Sequence, residues 1–142
     1  MFVEEELLKI TVYYKKSGRH YVVYSSDVFN DIGLKQEEKD KFKSLTVKAK
    51  QLNWGLYNAL QEAAMVSDNL GNRKWNYKVY KENKLRSIIV KWDATTTNDK
   101  GEVINAPLTP QTFANLSPDI AEAILNAYDQ MTLVDEQDEK KS

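Results

Sequence analysis

Hydrophobic and polar side chains alternate along residues 7–16, where Leu8, Ile10, Val12 and Tyr14 interleave with Lys9, Thr11, Tyr13 and Lys15. A period of two marks a strand with one buried face. Ser17-Gly18-Arg19 supplies a turn, with Gly18 free to take a positive φ. Residues 20–25, rich in valine and tyrosine, read as the return strand. Residues 26–33 hold the turn formers Asp27, Asn30, Asp31 and Gly33 and are expected to be irregular. Residues 35–43 are strongly charged and fit a short exposed helix. Leu45-Thr46-Val47-Lys48-Ala49 alternates again and favours a strand that pairs with the hairpin, although the same residues also suit a helix.

The period then lengthens. Over residues 53–66, Trp54, Tyr57, Leu60 and Ala64 recur at helical spacing behind Asn53, a natural N-cap. A polar break spans residues 67–72. A second helix is predicted over residues 76–92, with Leu85, Ile88, Ile89 and Trp92 on one face. Residues 93–107 read as a loop or small hairpin turning at Asn98-Asp99-Lys100-Gly101. Thr109-Pro110 and Ser117-Pro118 each set a hydroxyl cap before a proline at the first helical position. The first opens a short helical turn. The second opens a full helix to about Met131, with Ile120, Ile124, Ala127, Tyr128 and Met131 as its buried stripe. The expected fold class is α+β: an N-terminal β-hairpin or three-stranded meander followed by a small bundle of three main α-helices. It forms a single globular domain over residues 1–132, and residues 133–142 form a charged, disordered tail.

Composition narrows the chemistry. The chain has 142 residues, no cysteine and one histidine. Disulfides, thiolate zinc sites, iron–sulfur clusters and cysteine catalysis are therefore excluded within the chain. His20 sits at the hairpin end beside Arg19 and reads as a solvated strand residue rather than a catalytic base. The five glycines are scattered, so neither a P-loop nor a dinucleotide fingerprint is present. Asp93, Asn98, Asp99 and Glu102 invite a calcium reading, but counting an EF-hand loop from Asp93 puts Asn98 at the glycine position and Ile104 at the bidentate-glutamate position. No catalytic, metal or cofactor site is expected, and the protein is not expected to be an enzyme. No apolar run approaches the roughly 20 residues of a membrane span. Met1-Phe2-Val3-Glu4-Glu5-Glu6 is the opposite of a secretory leader, so the host cytoplasm is the expected location.

The net charge of −1 conceals an asymmetry. Residues 1–50 carry ten basic and eight acidic side chains, residues 51–92 seven and three, and residues 93–142 three and ten. Such polarity can steer a charged partner; it also fits a solvated helix face and a solubilising tail. The stretch 73–92 holds Arg73, Lys74, Lys78, Lys81, Lys84, Arg86 and Lys91 with Trp75, Tyr77, Tyr80 and Trp92. That mixture is the best candidate for contact with nucleic acid, since cations neutralise phosphates and aromatics stack on bases. It equally fits an amphipathic helix with a lysine-rich outer face. Trp75, Tyr77 and Tyr80 are candidate anchors for a protein partner, with Lys78, Lys81 and Lys84 as steering charges.

The second half has a distinctive layout. An aromatic helix is followed by a helix ending in tryptophan, Leu85-Arg86-Ser87-Ile88-Ile89-Val90-Lys91-Trp92. Then come the turn Asn98-Asp99-Lys100-Gly101-Glu102, the Pro107-Leu108-Thr109-Pro110 segment running to Leu116, and Ser117-Pro118 with Ile120 and Ile124 opening the last helix. Over roughly residues 50–131 this resembles small proteins of tailed bacteriophages, of the tail assembly chaperone type and their relatives among minor tail proteins. The resemblance brings no catalytic residues. It implies a binding role, holding tape-measure and tail-tube proteins soluble before they polymerise. The charge-rich segment 35–50 and the tyrosine-rich hairpin have no counterpart in that pattern and leave a structural tail or neck subunit of the virion open.

Overall fold

A computed structural model describes residues 6–141, with side chains as far as Thr132. In chain order the elements are β1 (Leu8–Ser17), β2 (His20–Ser25), α1 (Ser26–Asp31), α2 (Gln36–Lys39), β3 (Lys43–Ala49), α3 (Trp54–Ala63), β4 (Met65–Ser67) and β5 (Arg73–Trp75). They continue as α4 (Tyr77–Ile88), β6 (Ile89–Trp92), β7 (Thr95–Thr97), β8 (Val103–Asn105), α5 (Pro110–Ala114) and α6 (Pro118–Lys141). The fold class is α+β.

The hairpin forms as the alternation requires, with Ser17 opposite His20 and Gly18 at φ 63° in the turn. β3 pairs antiparallel on the other edge of β1, placing Ile10 opposite Val47 and Val12 opposite Leu45. The sheet does not stop at three strands. β6 adds to β3, and the order is β2-β1-β3-β6. The predicted helix over 76–92 therefore ends early, and Trp92 belongs to a strand.

The physical reason is a β-bulge. Lys48 pairs with Lys91 and Ala49 with Ile89, leaving Val90 as the extra residue. In a regular strand, residues three apart face opposite ways. The bulge lets Ile89 and Trp92 both turn inward while Val90 and Lys91 stay exposed. That inward pair three residues apart copies the spacing of a helix face.

Two other expectations change. Residues 26–31 are helical rather than irregular: the Ser25 hydroxyl accepts the Val28 N–H at 3.5 Å and Phe29 is buried. A helix this short with one buried residue leaves no periodic trace. Residues 65 and 66 leave the predicted helix and, with Ser67 of the predicted polar break, pair with β5, Met65 opposite Trp75. Asp68 Oδ1 closes the intervening turn by accepting the Leu70 and Asn72 N–H groups, each at 2.9 Å. At the other end of the chain, the helical backbone of α6 continues to Lys141, past the Leu133 at which a tail was expected to begin.

One apolar cluster joins the sheet to α4 and α6. It contains Ile10, Val12, Leu45 and Val47 from the strands, Leu85 and Ile88 from α4, and Ile120, Ile124, Leu125 and Tyr128 from α6. Among the described residues every buried side-chain nitrogen and oxygen has a hydrogen-bond partner. The Tyr128 hydroxyl donates to the Lys50 carbonyl (3.0 Å) and accepts the Leu52 N–H (3.1 Å). Trp92 Nε1 donates to the Ala106 carbonyl at 2.8 Å. The β2 edge is closed by α6, because Asp119 Oδ2 accepts the Tyr21 N–H at 3.0 Å. On the opposite face of the sheet, Phe29 stacks on Tyr13 (4.1 Å between ring centres) and Phe42 packs on Phe29 and Tyr24.

Candidate interaction surface

The residues singled out around α4 are placed by one cap. Asn76 Oδ1 accepts the Lys78 and Val79 N–H groups at 3.0 and 3.2 Å, and the Asn76 N–H donates to the Ala64 carbonyl at 2.7 Å. This fixes the start of α4 against the end of α3. Trp75, at the end of β5, then lies 5.8 Å from the Tyr77 ring and 5.3 Å from the Tyr80 ring. The three aromatics predicted as anchors do come together. Trp75 is 44% exposed and Tyr77 58%, while Tyr80 is half-buried beneath them.

The three lysines divide. Lys78 is exposed and has no carboxylate partner among the described residues. Lys81 lies 4.8 Å from the Tyr77 ring centre and forms an ion pair with Glu122 of α6. Its hydrogen bond to Glu122 raises the ammonium pKa above its ordinary value. Lys84 is buried. Its Nζ is 2.6 Å from Asp129 Oδ1 and within 6 Å of the Tyr80 and Tyr128 ring centres. A buried, paired ammonium cannot steer a distant partner, so Lys84 holds α4 to α6 instead of guiding an encounter.

Two aromatics of α3 stand outside the core. Trp54 and Tyr57 share helical spacing with Leu60 and Ala64, yet of these four only Leu60 and Ala64 are buried. Trp54, 77% exposed, stacks on Tyr57 in solvent with ring centres 6.2 Å apart. Leu70, in the β4–β5 turn, is also exposed. Helical spacing correctly placed these rings on one side of α3. It does not say where along the helix the covering partner ends.

Beside the aromatic group, α4, α5 and the start of α6 enclose an open cleft of about 670 Å³. Leu85, Phe113, Leu116 and Leu125 give it apolar walls, and the charged side chains lining it are of both signs: Lys78, Lys81 and Arg86 with Glu82 and Glu122. The Thr109 hydroxyl caps α5 by accepting the Thr112 N–H at 3.2 Å, and Phe113 packs on Trp92 with ring centres 4.9 Å apart. Because Lys81 also touches Tyr77, cleft and aromatic group are continuous. No family model matches the chain, and no curated protein or solved structure matches it.

The remaining candidates are plainly placed. His20 is exposed, with Nδ1 3.9 Å from Asp119 Oδ2. Among the described residues no three of histidine, aspartate and glutamate gather as a metal site, and no helix is long and apolar enough to cross a membrane. In the 73–92 stretch, Arg73 pairs with Glu62 at 3.0 Å, so three of its cations are held by carboxylates of the chain itself.

Proposed function

We propose that this protein works in the host cytoplasm by binding another protein, with no reaction of its own. The client is an aggregation-prone component of a phage tail, as the resemblance to tail assembly chaperones implies. What supports this reading is the group Trp75, Tyr77 and Tyr80 set beside a cleft with apolar walls, at which Lys78 is exposed without a carboxylate partner among the described residues. Aromatic side chains held rigidly at a surface are effective anchors, because little side-chain entropy is lost when a partner covers them. An apolar client side chain fits the wall formed by Leu85, Phe113 and Leu125, and an acidic neighbour on the client meets Lys78. Co-expression with the tape-measure protein of the same genome is expected to raise its soluble yield and to give a co-purifying complex. Unchanged yield with no complex overturns the reading.

A structural virion subunit is the second reading, and the β7–β8 ribbon favours it. All six of its paired residues are exposed, Val103 to 72%, and neither strand carries a charge. An isolated two-stranded ribbon is marginal in water and gains by adding to a neighbour. Mass spectrometry of purified particles separates the two readings, since a chaperone leaves the finished tail and a subunit stays.

A further inference from the structure

Residues 53–75, which comprise α3, β4 and β5, stand apart from the rest of the fold. The apolar cluster that joins the sheet to α4 and α6 takes no side chain from them. Within them only Leu60 and Ala64 are buried, with Leu56 half-buried one turn earlier on the same face, and α3 lies against α4. Their polar contacts are mostly internal. β4 pairs with β5, Asp68 closes the turn between them, and Arg73 pairs with Glu62 at 3.0 Å. Among the described residues one hydrogen bond links the segment to the rest of the chain, from the Asn76 N–H to the Ala64 carbonyl. The flanks, by contrast, are pinned to the core. Before the segment, the Lys50 N–H donates to the Ile88 carbonyl at 2.8 Å and the Leu52 N–H to the Tyr128 hydroxyl at 3.1 Å. After it, Asn76 Oδ1 caps α4.

We propose that residues 53–75 form a lobe that opens from α4 as one unit while the sheet, α4 and α6 stay folded. The free energy of a local opening follows the apolar surface it exposes and the hydrogen bonds it breaks. Opening this lobe uncovers Leu60 and Ala64, breaks the Asn76–Ala64 hydrogen bond and leaves the main cluster intact. Because both flanks are tied to the core, the remainder of the chain need not move. The opening also divides the aromatic group. Trp75 belongs to the lobe, whereas Tyr77 and Tyr80 belong to α4, and the rings now 5.8 and 5.3 Å from Trp75 lose that neighbour. The closed lobe completes the three-ring surface and the open lobe takes it apart. A partner that covers all three rings binds the closed state and shifts the population toward it. That last consequence rests on the protein-binding reading; the opening itself does not.

The test is native-state hydrogen exchange of the full chain, read by mass spectrometry without any partner, so its outcome is separate from that of client binding. In wild type the amides of residues 57–64 are expected to be less protected than those of β1 and β3 by about 100-fold or more. Val47→Ala, which opens a cavity in the main core, is expected to speed exchange in β1 and β3 by roughly tenfold or more and to leave residues 57–64 unchanged. Leu60→Glu places a charge under the lobe and is expected to abolish protection over residues 57–64 while β1, β3 and α6 remain protected. Equal protection of residues 57–64 and β3 in wild type would overturn the proposal. So would Val47→Ala speeding both regions alike, or Leu60→Glu unfolding the whole chain, since each means that the segment opens only together with the core.

Discussion

Tyr128 does more than fill space. Its ring lies in the core, and its hydroxyl ties α6 to the link between β3 and α3 through the Lys50 carbonyl and the Leu52 N–H. Tyr128→Phe keeps the packing but strands both backbone groups, and urea unfolding should show a loss of about 1–3 kcal/mol. The same burial raises the phenol pKa above its ordinary value; burial does the same to Tyr14. A tyrosine whose folded pKa is raised stays protonated in the native state after the unfolded chain has begun to ionise. The unfolded state then binds fewer protons, so stability falls as pH rises through and above about 10. Lys81 adds in the same direction. Its ammonium is favoured by Glu122 in the folded state, and that contribution is lost as pH rises through its raised pKa. Melting temperature measured from pH 8 to 11 should therefore be level at first and then drop, less steeply in Tyr128→Phe.

At the level of elements, legibility followed burial. β1 and β3 could be read because one face of each is buried and the other is not, which writes a period of two into the residues, whereas β2, half-buried from Tyr21 to Ser25, was legible from its valine and tyrosine content. α1 could not be read, since it buries only Phe29. The α4–β6 boundary was hidden for a different reason. Leu85, Ile88, Ile89 and Trp92 satisfy helical spacing, and the bulge at Val90 satisfies the same spacing in a strand. The grouping of Trp75, Tyr77 and Tyr80 was legible because all three lie within one cap and one turn. The pairing of Lys81 and Lys84 with α6 was not, because Glu122 and Asp129 are more than forty residues away. The cap itself is open to test. Asn76→Ala removes the acceptor for two N–H groups and should cost about 1 kcal/mol of stability, within a range of roughly 0.5–2. Because the cap also sets Tyr77 against Trp75, client binding should weaken with it.

Across the whole molecule, the charge asymmetry of the chain becomes an internal complement. The acidic residues after Trp92 include Asp119, Glu122 and Asp129 of α6, and these face His20, Lys81 and Lys84. Part of the polarity visible in the chain is thus spent on docking α6 across the hairpin and α4. What remains outward is more specific: an aromatic group and cleft on one side, and the exposed Lys9, Lys48 and Lys91 on the far face of the sheet. The central claim concerns the first of these, and one comparison tests it most directly. Wild type and Trp75→Ala/Tyr77→Ala should each be co-expressed with the tape-measure protein, and the complex recovered on the tagged chain. Both side chains lie at the surface, 44% and 58% exposed, so the variant should stay folded and melt close to wild type. Recovery of client falling tenfold or more in the variant, with the fold unchanged, is the predicted result. Equal recovery by both proteins would contradict it.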